Sequence, residues 1–275
     1  MALKDITLGQ YFPGNSPVHR LDPRTKILAV VLYITALFLA KSFVTYGVMF
    51  LVLCASIALS KVPVKSILRG LKPVLFIAVF TAVLNLLYTP GEHVLTKLWI
   101  FTITLEGVFT AFFMVIRIMM LIAGTFLLTY TTSPILLTDG LESLLGPLKK
   151  IKVPVHELAM MMSIALRFIP TLIEETDKIM KAQIARGADL ESGNIIQRTK
   201  AMVPILVPLF VSAFRRANDL AMAMEARCYN GGEGRTKMKP LVYRKRDRAA
   251  YGITILYMVV IVLVGRFVPF QIWIF

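Results

Sequence analysis

Between Gly107 and Tyr130 the chain runs for 24 residues with a single charged side chain, Arg117. Coiled into an α-helix, such a run rises about 36 Å, enough to cross the ~30 Å hydrocarbon core of a bilayer with some tilt. A soluble domain would have to hide it on every face, and this chain lacks the polar mass to do so. Of its 275 residues 57% are hydrophobic and 17% charged, against roughly 45–50% and 25% in soluble domains. The composition predicts an all-α integral membrane protein. Its charge is also segregated: residues 131–248 hold 19 of the 31 Lys and Arg and 12 of the 16 Asp and Glu. That stretch is expected to lie in water or at the membrane surface, on one side.

Cys54, in an apolar run, and Cys228, in a polar one, offer neither a disulfide framework nor metal-ligand spacing. The first 26 residues lack the basic cluster, apolar core and cleavage site of a secretory signal, so the amino terminus is expected to be retained and cytoplasmic. Five apolar segments follow: 27–40, 43–59, Pro73–Tyr88, Gly107–Tyr130 and Ala249 to about Val264. Only Lys41-Ser42 separates the first two, but the basic residues favour two crossings. Lys4, Arg20, Arg24 and Lys26 precede the pair, and Lys61, Lys65, Arg69 and Lys72 follow it. Thr89-Pro90-Gly91 stops the third segment. The fourth returns the chain to the basic side at Thr131, and the fifth places the carboxyl terminus outside. Arg117 reads as a structural arginine or as the mark of a polar pathway. Ala36 with Ala40, and Ala78 with Ala82, are small-residue pairs that let helices approach closely in lipid.

Within 131–248 the pattern is that of long amphipathic helices. One stripe runs Leu158, Met162, Ala165, Ile169, Leu172, Thr176, Ile179, with Glu174, Glu175, Asp177, Lys178 and Lys181 mostly off it. A second helix, beginning near Ala201, carries Val203, Leu206, Phe210, Ala213, Ala217, Leu220 and Met224. Continued to their ends, the stripes reach Arg186 and Arg227, 41 residues apart, in the similar strings Ala185-Arg186-Gly187 and Ala226-Arg227-Cys228. Gly187 is placed to cap the first helix in a left-handed conformation, and Gly231-Gly232 to end the second. Arginine suits the negative end of a helix dipole, which alone would account for either tripeptide. The pairing suggests something more: two guanidinium-tipped helices built to enter polar grooves, where arginine can grip a carboxylate bidentately. Residues 135–152, with Leu141, Leu144, Leu145, Leu148 and three lysines, read as a shorter interfacial helix.

Catalytic patterns are weak. Gly9–Ser16 has the glycine and serine spacing of a phosphate-binding loop, but Asn15 stands where the lysine belongs. Glu174-Glu175 resembles the paired glutamates of intramembrane CAAX-processing proteases, yet Ile179 occupies the position of that family's arginine. An intramembrane metallohydrolase using these glutamates and a histidine is therefore an unfavoured alternative. His19, His93 and His156 are dispersed and lack zinc-binding spacing. No cofactor or metal site is expected. Nor is nucleic acid, since the basic region is laced with acids and lacks interleaved aromatics; topology and anionic lipid account for its charge.

The amino-terminal string Tyr11-x-Pro13-Gly14-x-Ser16-x-x-His19-Arg20-Leu21-Asp22-Pro23-Arg24-Thr25-Lys26, leading into an apolar helix, resembles the opening of the transmembrane T components (EcfT) of energy-coupling factor transporters. The two arginine strings extend the resemblance over essentially the whole chain, with Cys228 departing from the glycine often found there. The resemblance implies a non-catalytic subunit of a bacterial ABC-type importer in the cell membrane. Two cytoplasmic ATPases, a heterodimer, would hydrolyse ATP, and a small substrate-binding S component would capture a vitamin or related micronutrient. A dedicated cobalt or nickel permease is the alternative. It further implies a division into a cytoplasmic segment 1–26, transmembrane helices in 27–130, coupling helices in 131–248 and a final transmembrane helix in 249–275. Ala185, Arg186, Gly187, Ala226, Arg227 and Cys228 would contact the ATPases. Leu158, Met162, Ala165, Ile169, Leu172, Val203, Leu206, Phe210 and Ala213 would face the S component or lipid.

Overall fold

The computed structural model describes residues 11–40, 42–89, 93–98, 101–188, 194–231, 238 and 240–267. In chain order the elements are α1 (Pro23–Leu39), α2 (Phe43–Ser60), α3 (Val64–Tyr88), β1 (Val94–Leu98), β2 (Phe101–Thr104), α4 (Leu105–Thr131), α5 (Pro134–Leu145), a 3-10 turn (Gly146–Ile151), α6 (Val155–Ala185), α7 (Ile195–Glu225) and α8 (Lys245–Phe267). Lys4, the start of the Gly9–Ser16 string, Lys41, the Pro90-Gly91 stop and Gly232 lie outside the described residues. The chain forms two compact units, one from the described residues of Gly9–Ser143 and Leu241–Phe275, the other from those of Leu144–Pro240.

The fold is an all-α polytopic membrane protein with a short antiparallel hairpin, β1–β2, that was not expected; Leu98 pairs with Phe101 and Lys97 with Thr102. Among the described residues five helices are long and apolar enough to cross a bilayer: α2, α3, α4, α6 and α8. This set differs from the expected five. The segment 27–40 is α1, the shortest of the long helices at 17 residues, which rises only about 25 Å. Helix α6 meets the same standard by length and composition alone, because its first eighteen residues carry only Glu157 and Arg167 as full charges and its other charges gather beyond Leu172. The third span begins at Val64 rather than Pro73. Pro73 sits inside the helix at the cost of one backbone bond, and Lys65, Arg69 and Lys72 ride on its first turns instead of forming a loop.

In the first unit α1, α2, α4 and α8 share a core around Tyr33, Leu37, Met49, Phe113, Met120 and Ile261. Ala36 and Ala40 are fully buried there, as expected of small residues at a helix contact in lipid. Gly124 is needed on α4: a Cβ there would stand 2.5 Å from the ring of Tyr33, whose hydroxyl donates to Met120 O. α3 runs antiparallel along α4, tied at one end by Tyr130 to Ser66 O and at the other by Thr104 to Thr89 O.

The amino-terminal string folds into a polar knot against this unit. The imidazole of His19 lies between Ser16 Oγ (2.7 Å) and Phe12 O (2.9 Å), and Phe12 N donates to Tyr130 O. Lys26, almost fully buried, donates to Thr131 O, Thr132 Oγ1 and His19 O. Asp22 caps α1 by accepting from Arg24 N. Arg24 bonds both Asp22 oxygens and Leu241 O, with its guanidinium carbon 3.8 Å from the Tyr243 ring centre. Burial pushes the Tyr243 phenol up from its ordinary range.

Candidate partner-binding site

In the second unit α6 and α7 are each 31 residues long and pack antiparallel. Gln183 reaches Pro204 O, while Glu175, two turns earlier on α6, meets Ser212 and Arg216, two to three turns later on α7. The Glu175–Arg216 pair is 2.7 Å apart and half-buried. Glu175 is therefore not on a solvated face as paired helix glutamates usually are; Glu174 is. Among the described residues no group of His, Cys, Asp and Glu could hold a metal ion.

Helix α7 starts at Ile195, earlier than the expected Ala201. The reason is a helix-start signal hidden in a charged stretch: Gln197 accepts from Asn194 N, and Asn194 O accepts from Arg198 N. Pro170, Pro204 and Pro208 all lie inside the two helices.

Both helices end in the same backbone device. At the end of α6, Gly187 N donates to Ile184 O (2.9 Å) and Ala188 N to Gln183 O (3.0 Å), with Gly187 at φ +88°. At the end of α7, Cys228 N donates to Glu225 O (2.8 Å) and Tyr229 N to Met224 O (3.0 Å), with Cys228 at φ +56°. These are paired Schellman caps. Gly187 caps as its residue type suggests, whereas the second cap is Cys228 and not Gly231-Gly232. Arg186 and Arg227 thus hold the same position, the last before the left-handed residue, and both are exposed, as are Ala185 and Ala226. The caps occupy terminal carbonyls with backbone donors, so neither guanidinium is needed at its own helix end, and among the described residues neither has a partner.

Antiparallel packing puts the two arginines at opposite ends of the pair. Arg186 lies one turn beyond the contact with Pro204, and from Pro204 to Arg227 the rise of α7 is roughly 35 Å. One groove cannot hold both.

The apolar stripes are only partly covered. Leu158, Met162, Ala165, Val203, Leu206 and Phe210 are exposed, while Ile169, Leu172 and Ala213 are half-buried. Among the described residues of α7 the buried apolar one is Ile205, off the expected stripe. Val207, Val211 and Phe214 join Phe210 in a shallow apolar hollow edged by Arg215 and Asn218, so the open face is wider than the sequence stripe.

A family model described as "CbiQ: Cobalt transport protein" matches residues 14–238. Over 262 residues, 94% of this chain and 96% of the other, the chain is 56% identical to the "Energy-coupling factor transporter transmembrane protein EcfT" of Acidaminococcus fermentans. The chain belongs to the EcfT family. The protein of that name from Clostridium kluyveri is 59% identical over 246 residues, 89% of this chain and 91% of the other. The one from Bacillus subtilis is 51% identical over 245 residues, 89% and 92% of the two chains. Membership in the EcfT family makes the chain a multi-pass membrane component of a transporter, and the opening string, which folds into the polar knot, lies largely within the matched residues.

Proposed function

We propose that this EcfT-family chain is the energy-coupling scaffold of an ABC-type importer in the bacterial cell membrane. It holds two cytoplasmic ATPases, a heterodimer, through Arg186 and Arg227, and passes their motion to a substrate-binding S component for uptake of vitamins or related micronutrients. The supporting observation is the pair of matched caps: two exposed arginines, presented identically on helix ends too far apart for one groove, suit two separate partners. Ala185, Gly187, Ala226 and Cys228 flank the contacts. The open apolar face of α6 and α7, from Leu158 and Met162 to Val203, Leu206 and Phe210, suits a hydrophobic partner or lipid. The amino terminus is cytoplasmic, the carboxyl terminus is outside, and the chain itself is not catalytic.

The test is reconstitution with the ATPases and an S component in proteoliposomes. Arg186→Glu with Arg227→Glu abolishes ATP-driven uptake and strips ATPase from the purified complex. A double variant that keeps its full complement of ATPase contradicts the proposal.

A further inference from the structure

The helices of the first unit differ in length in a way that isolates Arg117. α1 and α2, 17 and 18 residues, rise only about 25 and 27 Å, whereas α3 and α4, 25 and 27 residues, rise about 37 and 40 Å. The contacts fix which ends align. Lys26, near the start of α1, meets Thr131 at the end of α4; Tyr33 meets Met120; and Phe38, near the end of α1, lies beside Arg117. Phe43, the first residue of α2, packs on Phe113 of α4. The α1–α2 turn therefore comes level with Phe113–Arg117, while α4 and its partner α3 continue past it by about 12 to 18 Å. The first unit is stepped, and Arg117 stands at the step.

The guanidinium there is under-used. Arg117 Nε donates to Tyr46 Oη at 2.7 Å, and the group lies 5.9 Å from the ring centres of both Phe38 and Tyr46. Arginine carries five N–H donors. Among the described residues no acceptor takes the other four, and no acidic residue lies in the first turn of α2, whose positive dipole end faces the same way. Phe38 beside it is exposed, as are Leu39, Phe43 and Val44 at the adjoining ends of α1 and α2. A cation at the exposed apolar end of a helical hairpin shorter than the ~30 Å hydrocarbon matches one ligand chemistry, an anionic headgroup with acyl chains attached.

We propose that Arg117 binds the phosphate of a phospholipid in the leaflet that holds the α1–α2 turn. The bilayer thins to meet the short hairpin, which lowers the phosphate layer toward Tyr46, only about 5 Å along α2 from its start. The forked guanidinium takes the phosphate oxygens through its free N–H groups while Tyr46 fixes its orientation. Acyl chains lie on Phe38, Leu39, Phe43 and Val44.

The test uses the full chain, purified in detergent, stripped of lipid and titrated with phosphatidylglycerol, with a phosphate-free diacyl glycolipid, and with inorganic phosphate. Native mass spectrometry counts retained molecules for wild type and Arg117→Gln. Wild type retains one phosphatidylglycerol more than Arg117→Gln, which binds it about tenfold more weakly; the glycolipid shows no such difference, and inorganic phosphate does not displace the bound lipid. Equal retention by the two proteins overturns the proposal, and so does displacement by inorganic phosphate. A photo-crosslinker at Phe38 with Arg117 intact, placed in the assembled transporter in membranes, is independent of how Arg117→Gln folds. It gives a lipid adduct; a protein adduct in its place assigns the site to a partner's side chain and overturns the proposal.

Discussion

Asp247 Oδ1 accepts the backbone N–H of Asp22 at 2.7 Å, joining the start of α8 to the start of α1 across 225 residues of sequence. The other oxygen of the same carboxylate accepts from Arg244 N, also at 2.7 Å. One buried side chain thus closes the first turns of two helices, and Asp22 in turn caps α1 and holds Arg24.

Asp247→Ala is expected to leave two backbone donors without this acceptor and to destabilise the chain by roughly 1–3 kcal/mol. Thermal unfolding in detergent measures it, and hydrogen exchange at Asp22 and Arg244 should rise selectively. Unchanged exchange at both amides would show that the clamp does not operate.

At Gly124 an added Cβ meets the Tyr33 ring at 2.5 Å, whereas at Gly47 nothing lies within 4 Å. Gly124→Ala is expected to force α1 and α4 apart, costing about 1–3 kcal/mol by overpacking. Gly47→Ala, inside α2, is expected to be neutral or to stabilise by up to about 1 kcal/mol through helix propensity. Melting temperatures of the two variants, measured side by side, decide it.

Cys228 holds a left-handed conformation that glycine adopts without a Cβ penalty. Cys228→Gly is expected to strengthen the α7 cap by about 1 kcal/mol, and Gly187→Ala to weaken the α6 cap by a similar amount. Slower exchange at residues 228 and 229 in the first variant, and faster exchange at 187 and 188 in the second, are the readouts.

Because the two arginines lie at opposite ends of the α6–α7 pair, their losses should be independent. Arg186→Glu alone is expected to weaken one ATPase contact by about 2–5 kcal/mol and leave the other intact, and Arg227→Glu the reverse. Arg186→Lys keeps the charge but not the planar fork, so a partial loss is expected. Binding isotherms of the single and double variants against the ATPases separate independent from coupled losses.

The helices were legible wherever apolar period and length agreed, as in α2, α4 and α6. Starts failed where charge was read as loop: Lys65 and Arg69 lie on α3, and Arg198 and Lys200 on α7, because a helix can carry cations on turns that reach water or headgroups. The Asn194–Gln197 start signal is present in the string, whereas Val94–Thr104 shows no clean two-residue period that would mark its strands. The equal positions of Arg186 and Arg227 were visible as repeated tripeptides. Their separation was not, since it depends on the meeting of Glu175 with Ser212 and Arg216, partners joined only by the fold. The opening string is recognisable by resemblance, but its physical work is not: Lys26 is buried against Thr131 O and Thr132 Oγ1 while His19 is held between Ser16 and Phe12 O, partners that only the fold brings to Lys26.

The central claim is that each arginine end grips its own motor subunit. Cysteines placed one at a time at Ala185 and Ala226, in a background of Cys54→Ser and Cys228→Ser, would carry a short crosslinker in the assembled transporter. Adducts with two different ATPase subunits, one from each position, are the expected result; an intact, transport-competent complex giving no ATPase adduct from either position would contradict it.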